Sequence, residues 1–160
     1  YPNAHGELKV SIDLAQGAKT IGWEVACYGL PASDELFEQG SINQQLLIRQ
    51  QGLPMLVDTQ RLDAADTDFY HGTAGLASTT CSGLMWAGPF EEYPEALMDQ
   101  LNERCFQHEL AGCSFTRGFI TVRYLGHNAM AARALFQSCW KLIRPALSGR
   151  NTCYPAIWNC

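Results

Sequence analysis

The stretches ELKVSIDL (residues 7–14) and TIGWEVACY (residues 20–28) decide the fold class. In the first, Leu8, Val10, Ile12 and Leu14 alternate with Glu7, Lys9, Ser11 and Asp13. A period of two sends alternate side chains to opposite faces of a strand, so one face is apolar and the other wet. Ala15-Gln16-Gly17 turns the chain. In the second stretch Ile21, Trp23, Val25 and Cys27 share one face, and Gly22, Glu24, Ala26 and Tyr28 the other. Gly29 to Ser33 supplies the breakers that end it.

Working outward, strands are expected from Ser41 to Arg49 and from Met55 to Leu62, joined as a hairpin at Gln50-Gln51-Gly52. Asp63 to Asp68 is polar and reads as a loop, whereas Leu76 to Trp86 is uncharged and reads as a well-covered strand. Pro94 suits the first turn of a helix, with Glu91, Glu92 and Glu95 near its positive end. Leu97, Leu101 and Cys105 carry its apolar face to about Phe106. Phe115 to Leu125 forms a hairpin through Arg117-Gly118. Asn128 is an N-cap for a second helix whose apolar face includes Met130, Leu135, Cys139, Leu142 and Ile143. Pro145 ends or kinks that helix, and Gly149 stops it. Strands come first and helices later, without βαβ alternation. The expected class is therefore a β-rich α+β fold with two helices toward the C-terminus, not a doubly wound sheet.

Composition narrows the function. The chain has 160 residues, 47% of them hydrophobic and 17% charged, which suffices for one packed core and a single domain over residues 1–160. Sixteen acidic residues against eleven basic ones argue against nucleic acid as a main partner. No run of apolar residues is long enough for a helix that crosses a membrane. The seven cysteines (Cys27, Cys81, Cys105, Cys113, Cys139, Cys153 and Cys160) are odd in number and include no CxxC pair. This usage points to a reducing, cytoplasmic compartment, with several thiols serving as small buried hydrophobes.

Motifs for bond chemistry are missing. There is no phosphate-cradling GxxxxGK[ST] or GxGxxG and no HExxH, and Thr80-Cys81-Ser82-Gly83 lacks the first glycine of a nucleophile elbow. No residue is assigned as catalytic. A cytosolic hydrolase with a Cys or Ser nucleophile stays open, because triad members need not be close in sequence. So does a β-rich adaptor domain with no metal role. Cys105, His108 and Cys113 are the most ligand-like local set and offer donors that suit zinc or nickel. The alternative is a core cysteine beside a histidine at a helix end.

Glu24 is the most informative residue. It interrupts the otherwise uncharged segment 20–28, and its small same-face neighbours Gly22 and Ala26 leave room beside the carboxylate. A carboxylate on a covered face needs a partner, water or a metal. One reading is an ion pair with Arg61 or Arg123; the other is a wet passage for a divalent cation. Asp58 and Asp63 flank Arg61 in a similar way, and Arg123 sits in a β pattern as a structural anchor.

Several stretches in order resemble one family. They are Gly22-Trp23-Glu24-Val25, Gly29-Leu30-Pro31-Ala32-Ser33, Gly52-Leu53-Pro54-Met55-Leu56 with Arg61-Leu62, and Arg123-Tyr124-Leu125-Gly126. The helix ending Trp140-Lys141-Leu142-Ile143-Arg144-Pro145-Ala146-Leu147 follows, then Gly149-Arg150 and Pro155-Ala156-Ile157-Trp158. Together they resemble the later part of the UreD/UreH urease accessory proteins, so the chain is expected to be the C-terminal part of a longer protein of this kind. The resemblance implies stacked β-sheet layers and a non-catalytic maturation chaperone. Its implied partners are the urease apoprotein, a UreF-type helical accessory protein and, through it, a UreG-type GTPase. It implies nickel as a transient cargo with no permanently bound cofactor. Glu24 and Asp58 are then candidates for transient nickel contact, and Arg123, Arg144 and Trp158 for partner binding. The apolar helix face and the tail around Trp158 read otherwise as core.

Overall fold

A computed structural model describes residues 3–30, 33 and 35–159, with the side chains of residues 157 and 159 left aside. Pro31 and Ala32 of the expected break, and Cys160, lie outside the described residues. Among the described residues seven strands follow one another as β1 (His5–Leu14), β2 (Thr20–Cys27), β3 (Ser41–Gln50), β4 (Leu53–Asp63), β5 (Cys81–Gly88), β6 (Ala111–Thr116) and β7 (Phe119–Gly126). Three helices intervene: α1 (Thr67–His71), α2 (Glu95–Cys105) and α3 (Ala129–Ser148). The chain is β-rich, in keeping with the α+β class expected from its pattern.

The strands divide into two sheets, one ordered β1-β3-β4 and the other β2-β5-β7-β6. β1 and β3 run parallel because the intervening β2 belongs to the other sheet. Two-residue hairpins close β3–β4 and β6–β7. Gln51 and Gly52 have φ of 51° and 78°, and Arg117 and Gly118 have φ of 50° and 82°. Positive φ at both central residues is the backbone of a type I′ turn, whose twist matches that of the flanking strands.

Alternation along each strand builds three layers. Val10, Ile12 and Leu14 of β1, Leu46 and Ile48 of β3 and Leu56 of β4 meet Leu84, Trp86 and Phe119 of the second sheet. On that sheet's far face Met85, Ala87, Ile120 and Val122 pack against Leu97 and Leu101 of α2 and Leu135, Phe136, Cys139 and Ile143 of α3. All eight residues of β5 are therefore buried. A smaller cluster, Tyr28, Phe37, Leu62 and Leu76, closes one end of the inter-sheet layer.

The helix signals behave as the chemistry predicts. The Asn128 side chain accepts hydrogen bonds from the backbone of Met130 (2.8 Å) and Ala131 (3.2 Å). Pro145 neither ends nor interrupts α3, which continues to Ser148. Proline removes one backbone donor there, close to the end, and Gly149 in the left-handed region (φ 66°) makes the stop, its N–H donating to the Pro145 carbonyl. Two expectations shift. The segment 76–86 is strand only from Cys81, because Ala77 (φ 48°) and Ser78 (φ 62°) are left-handed and cannot join a ladder. The polar loop ends in the one-turn helix α1, capped by Asp66 accepting from Phe69 N (2.9 Å), so the helices number three among the described residues.

Candidate functional site

Glu24 points between the sheets, as its place opposite Ile21, Trp23 and Val25 requires. Those three residues pack on the helix layer. The room predicted beside it is filled on one side. The Trp86 indole lies over Gly22, its cross-strand partner, so close that a Cβ there would stand 2.4 Å from the ring. On the other side the inter-sheet layer opens into a cavity of about 830 Å³. Glu24, Gln44, Asp58, Gln60, Ser82 and Arg123 are among the residues that line it, from β2, β3, β4, β5 and β7.

The two carboxylates come from facing sheets, Glu24 from one and Asp58 from the other. Partial burial raises the Glu24 carboxyl above its ordinary range, and the nearby Asp58 charge raises it further. Asp58 is ion-paired with Arg123, whose Nη2 donates to Asp58 Oδ2. The predicted cation for Glu24, Arg61 or Arg123, is therefore absent: Arg123 serves Asp58, and no cation among the described residues lies within ion-pair distance of Glu24. Asp63, the other flank of Arg61, is a turn residue that accepts from Ala65 N (3.0 Å).

A hydrogen-bonded wall closes one side of the cavity. Tyr28 Oη and Ser82 Oγ lie 2.6 Å apart and share one hydroxyl proton, and the other hydroxyl donates to its own glutamine, Tyr28 to Gln44 Oε1 (3.3 Å) or Ser82 to Gln60 Oε1 (3.4 Å). Burial is the first cause that pushes the Tyr28 phenol up to about 12, so it stays a neutral donor. Gln44 and Gln60 are cross-strand partners in the β3–β4 register. The sequence offered none of these four as a site residue: it placed Tyr28 only on the Glu24 face and Ser82 only within an incomplete nucleophile elbow. The available signal was two glutamines at positions where Ile42, Leu46 and Ile48, or Leu56 and Leu62, mark the inner face.

The remaining candidates are scattered. Arg144 Nε donates to the Asn151 carbonyl (3.1 Å), and its guanidinium stacks on Trp140 at 5.2 Å. Trp158 packs against Trp23 (4.8 Å) and Trp140 (4.9 Å), and its carbonyl accepts from Arg133. The set Cys105, His108 and Cys113 does not converge on one point. Cys105 is buried against Cys113, Cys113 Sγ donates to Asn102 Oδ1 (3.1 Å), and the His108 ring meets Tyr124 edge-on. No group of three His, Cys, Asp or Glu side chains among the described residues is placed to hold a metal ion. No described helix is long and apolar enough to cross a membrane.

Fold and site together define a β-rich scaffold with a carboxylate-bearing cavity of mixed polar and apolar lining between two sheets. Comparison with known proteins places it more narrowly. The family model described as UreD urease accessory protein matches residues 1–159, and the chain belongs to that family. It is 40% identical to the urease accessory protein UreD of Marinomonas sp. (strain MWYL1), over 99% of this chain and 53% of that protein. The UreD proteins of Pseudoalteromonas translucida and Aliivibrio fischeri are 32% and 30% identical, again over 99% of this chain. The chain spans about half the length of the curated relatives it matches.

Proposed function

We propose that this chain is the C-terminal part of a cytoplasmic urease maturation chaperone that performs no bond chemistry of its own. It binds apo-urease and docks onto a UreF-type helical accessory protein, which brings a UreG-type GTPase. The assembly inserts nickel into the urease active site at the expense of GTP. Arg123, Arg144 and Trp158 are the partner-facing positions of this reading, and Glu24 and Asp58 the transient contacts for the metal.

Beyond family membership, one observation carries the nickel part: Glu24 and Asp58, from opposite sheets, line one cavity. A cargo ion must be held weakly enough to leave. Nickel bound by a closed set of thiolates and imidazoles is held too tightly to be passed on. Amide, hydroxyl and carboxylate oxygens form an open and weaker set. Arg123 already offsets the Asp58 charge, so the cavity offers little net negative charge. The test is urease activation in cells by wild type and Glu24→Ala at matched soluble levels. This reading expects activity to fall with Glu24→Ala while the protein stays folded. Equal activation by both would refute the metal role of the cavity.

A further inference from the structure

Cys27 and Cys81 stand directly opposite one another on β2 and β5. One ladder bond decides what kind of pair they are. Tyr28 N donates to the Thr80 carbonyl (2.9 Å), the bond that flanks a non-hydrogen-bonded pair one position back along β2. Pair types alternate along an antiparallel ladder, so Cys27–Cys81 is a non-hydrogen-bonded pair, the type whose Cα atoms lie about 4.5 Å apart and whose side chains approach most closely. That separation falls within the range a disulfide spans, roughly 4.4–6.8 Å between Cα atoms. Opposed residues also share a face, so both Cβ bonds point to the same side of the sheet. The two thiols are close enough to perturb one another. Cys27 is exposed and Cys81 is buried.

We propose that Cys27 and Cys81 form a redox-convertible thiol pair that closes into a cross-strand disulfide and staples β2 to β5. The oxidant is a small-molecule disulfide of the glutathione type. The Cys27 thiolate attacks one sulfur of the oxidant, forming a mixed disulfide and expelling one thiolate. Cys81 then loses its proton and attacks the Cys27 sulfur, and a second thiolate leaves. The protein gives up two protons and two electrons, and the oxidant becomes two thiols. Burial is the first cause that pushes the Cys81 thiol up to about 12, so exposed Cys27 reacts first and Cys81 resolves.

The position gives the bridge a consequence. Cys81 directly precedes Ser82, which lines the cavity, and Cys27 directly precedes Tyr28, whose hydroxyl lies 2.6 Å from that of Ser82. A covalent link at the preceding pair holds that contact in place from behind, on the face turned away from the cavity. The pairing argument does not depend on the cavity's role, so its test stands or falls separately from the nickel reading.

The test is disulfide mapping. The purified protein is treated with oxidised glutathione under native conditions, unreacted thiols are alkylated after denaturation, and digests are read by mass spectrometry. Wild type is expected to yield a Cys27–Cys81 linked peptide, lighter by two hydrogens and lost on treatment with dithiothreitol. Cys81→Ala is expected to stop at a Cys27–glutathione adduct. Cys27→Ser, an exposed change that spares the core, is expected to leave Cys81 unmodified. A wild-type protein that keeps a Cys27–glutathione adduct while Cys81 remains alkylatable would overturn the proposal. So would Cys27 linked mainly to any other cysteine.

Discussion

Gly22→Ala probes the inter-sheet packing at its tightest point. The added methyl would stand 2.4 Å from Trp86 Cζ2 and 2.7 Å from Cε2, inside any tolerable contact. Trp86 is only 6% exposed and packs among Leu46, Ile48, Leu56 and Phe119, so the indole has little space to yield. Overpacking of this kind costs about 1–3 kcal/mol. At ~2 kcal/mol, and with each kcal/mol worth roughly 2–4 °C in a domain of this size, the melting temperature should fall by roughly 6 °C. The assay is a double-mutant cycle by thermal and denaturant unfolding, with Gly22→Ala, Trp86→Leu and the pair. Trp86→Leu is itself destabilising, because it leaves a cavity. Leucine also vacates the space the methyl needs, so the double variant should be more stable than the summed single losses by at least about 1 kcal/mol. Strict additivity, or an unchanged Tm for Gly22→Ala, would refute the claim that Trp86 and Gly22 share one filled site.

Three further outcomes follow from the same structure. Glu24 holds its proton more tightly in the folded state than in the unfolded one, because burial and Asp58 raise it. Its contribution to stability is therefore full below the ordinary carboxylate value and is lost as pH rises through the raised folded value. Glu24→Gln should flatten that descent in denaturant melts as pH rises above the ordinary carboxylate range; a variant less stable than wild type only at neutral pH would contradict it. Phe136→Ala removes a fully buried ring from the contact between α3 and Gly83 and should cost about 3–5 kcal/mol in chemical unfolding. Asn128→Ala deletes the side-chain acceptor for Met130 N and Ala131 N and should cost ~1 kcal/mol, while Asn128→Asp, which keeps an acceptor, should cost much less.

What could be read from the chain was local. The alternation over 7–14, which stands from Lys9 onward with Leu8 left exposed, the Gln51-Gly52 and Arg117-Gly118 turns and the Asn128 cap each depend on neighbours within a few residues. Sheet membership does not depend on neighbours. β2 joins β5 and not β1 or β3, and that choice sends Trp86 over Gly22 and Cys27 opposite Cys81. The helix α1, with five residues, is too short for a helical period to show. Glu24 was legible because a charge in an uncharged strand is a rare event. Gln44 and Gln60 were harder to read, since a neutral polar residue in a strand usually faces water; their parity with Leu46 and Leu62 marks the inner face, and the register makes them partners. Arg123 was legible as an anchor, but its partner depended on which inner face Asp58 met.

The central claim is that this UreD-family chain passes nickel to urease through oxygen donors held between its sheets. The most direct measurement is the nickel content per urease active site in enzyme recovered from cells that lack the gene, complemented with nothing, with wild type or with Glu24→Ala. The account predicts nearly metal-free urease without the gene, full loading with wild type and reduced loading with Glu24→Ala at matched protein levels. Full nickel occupancy in urease from cells lacking the gene would contradict it.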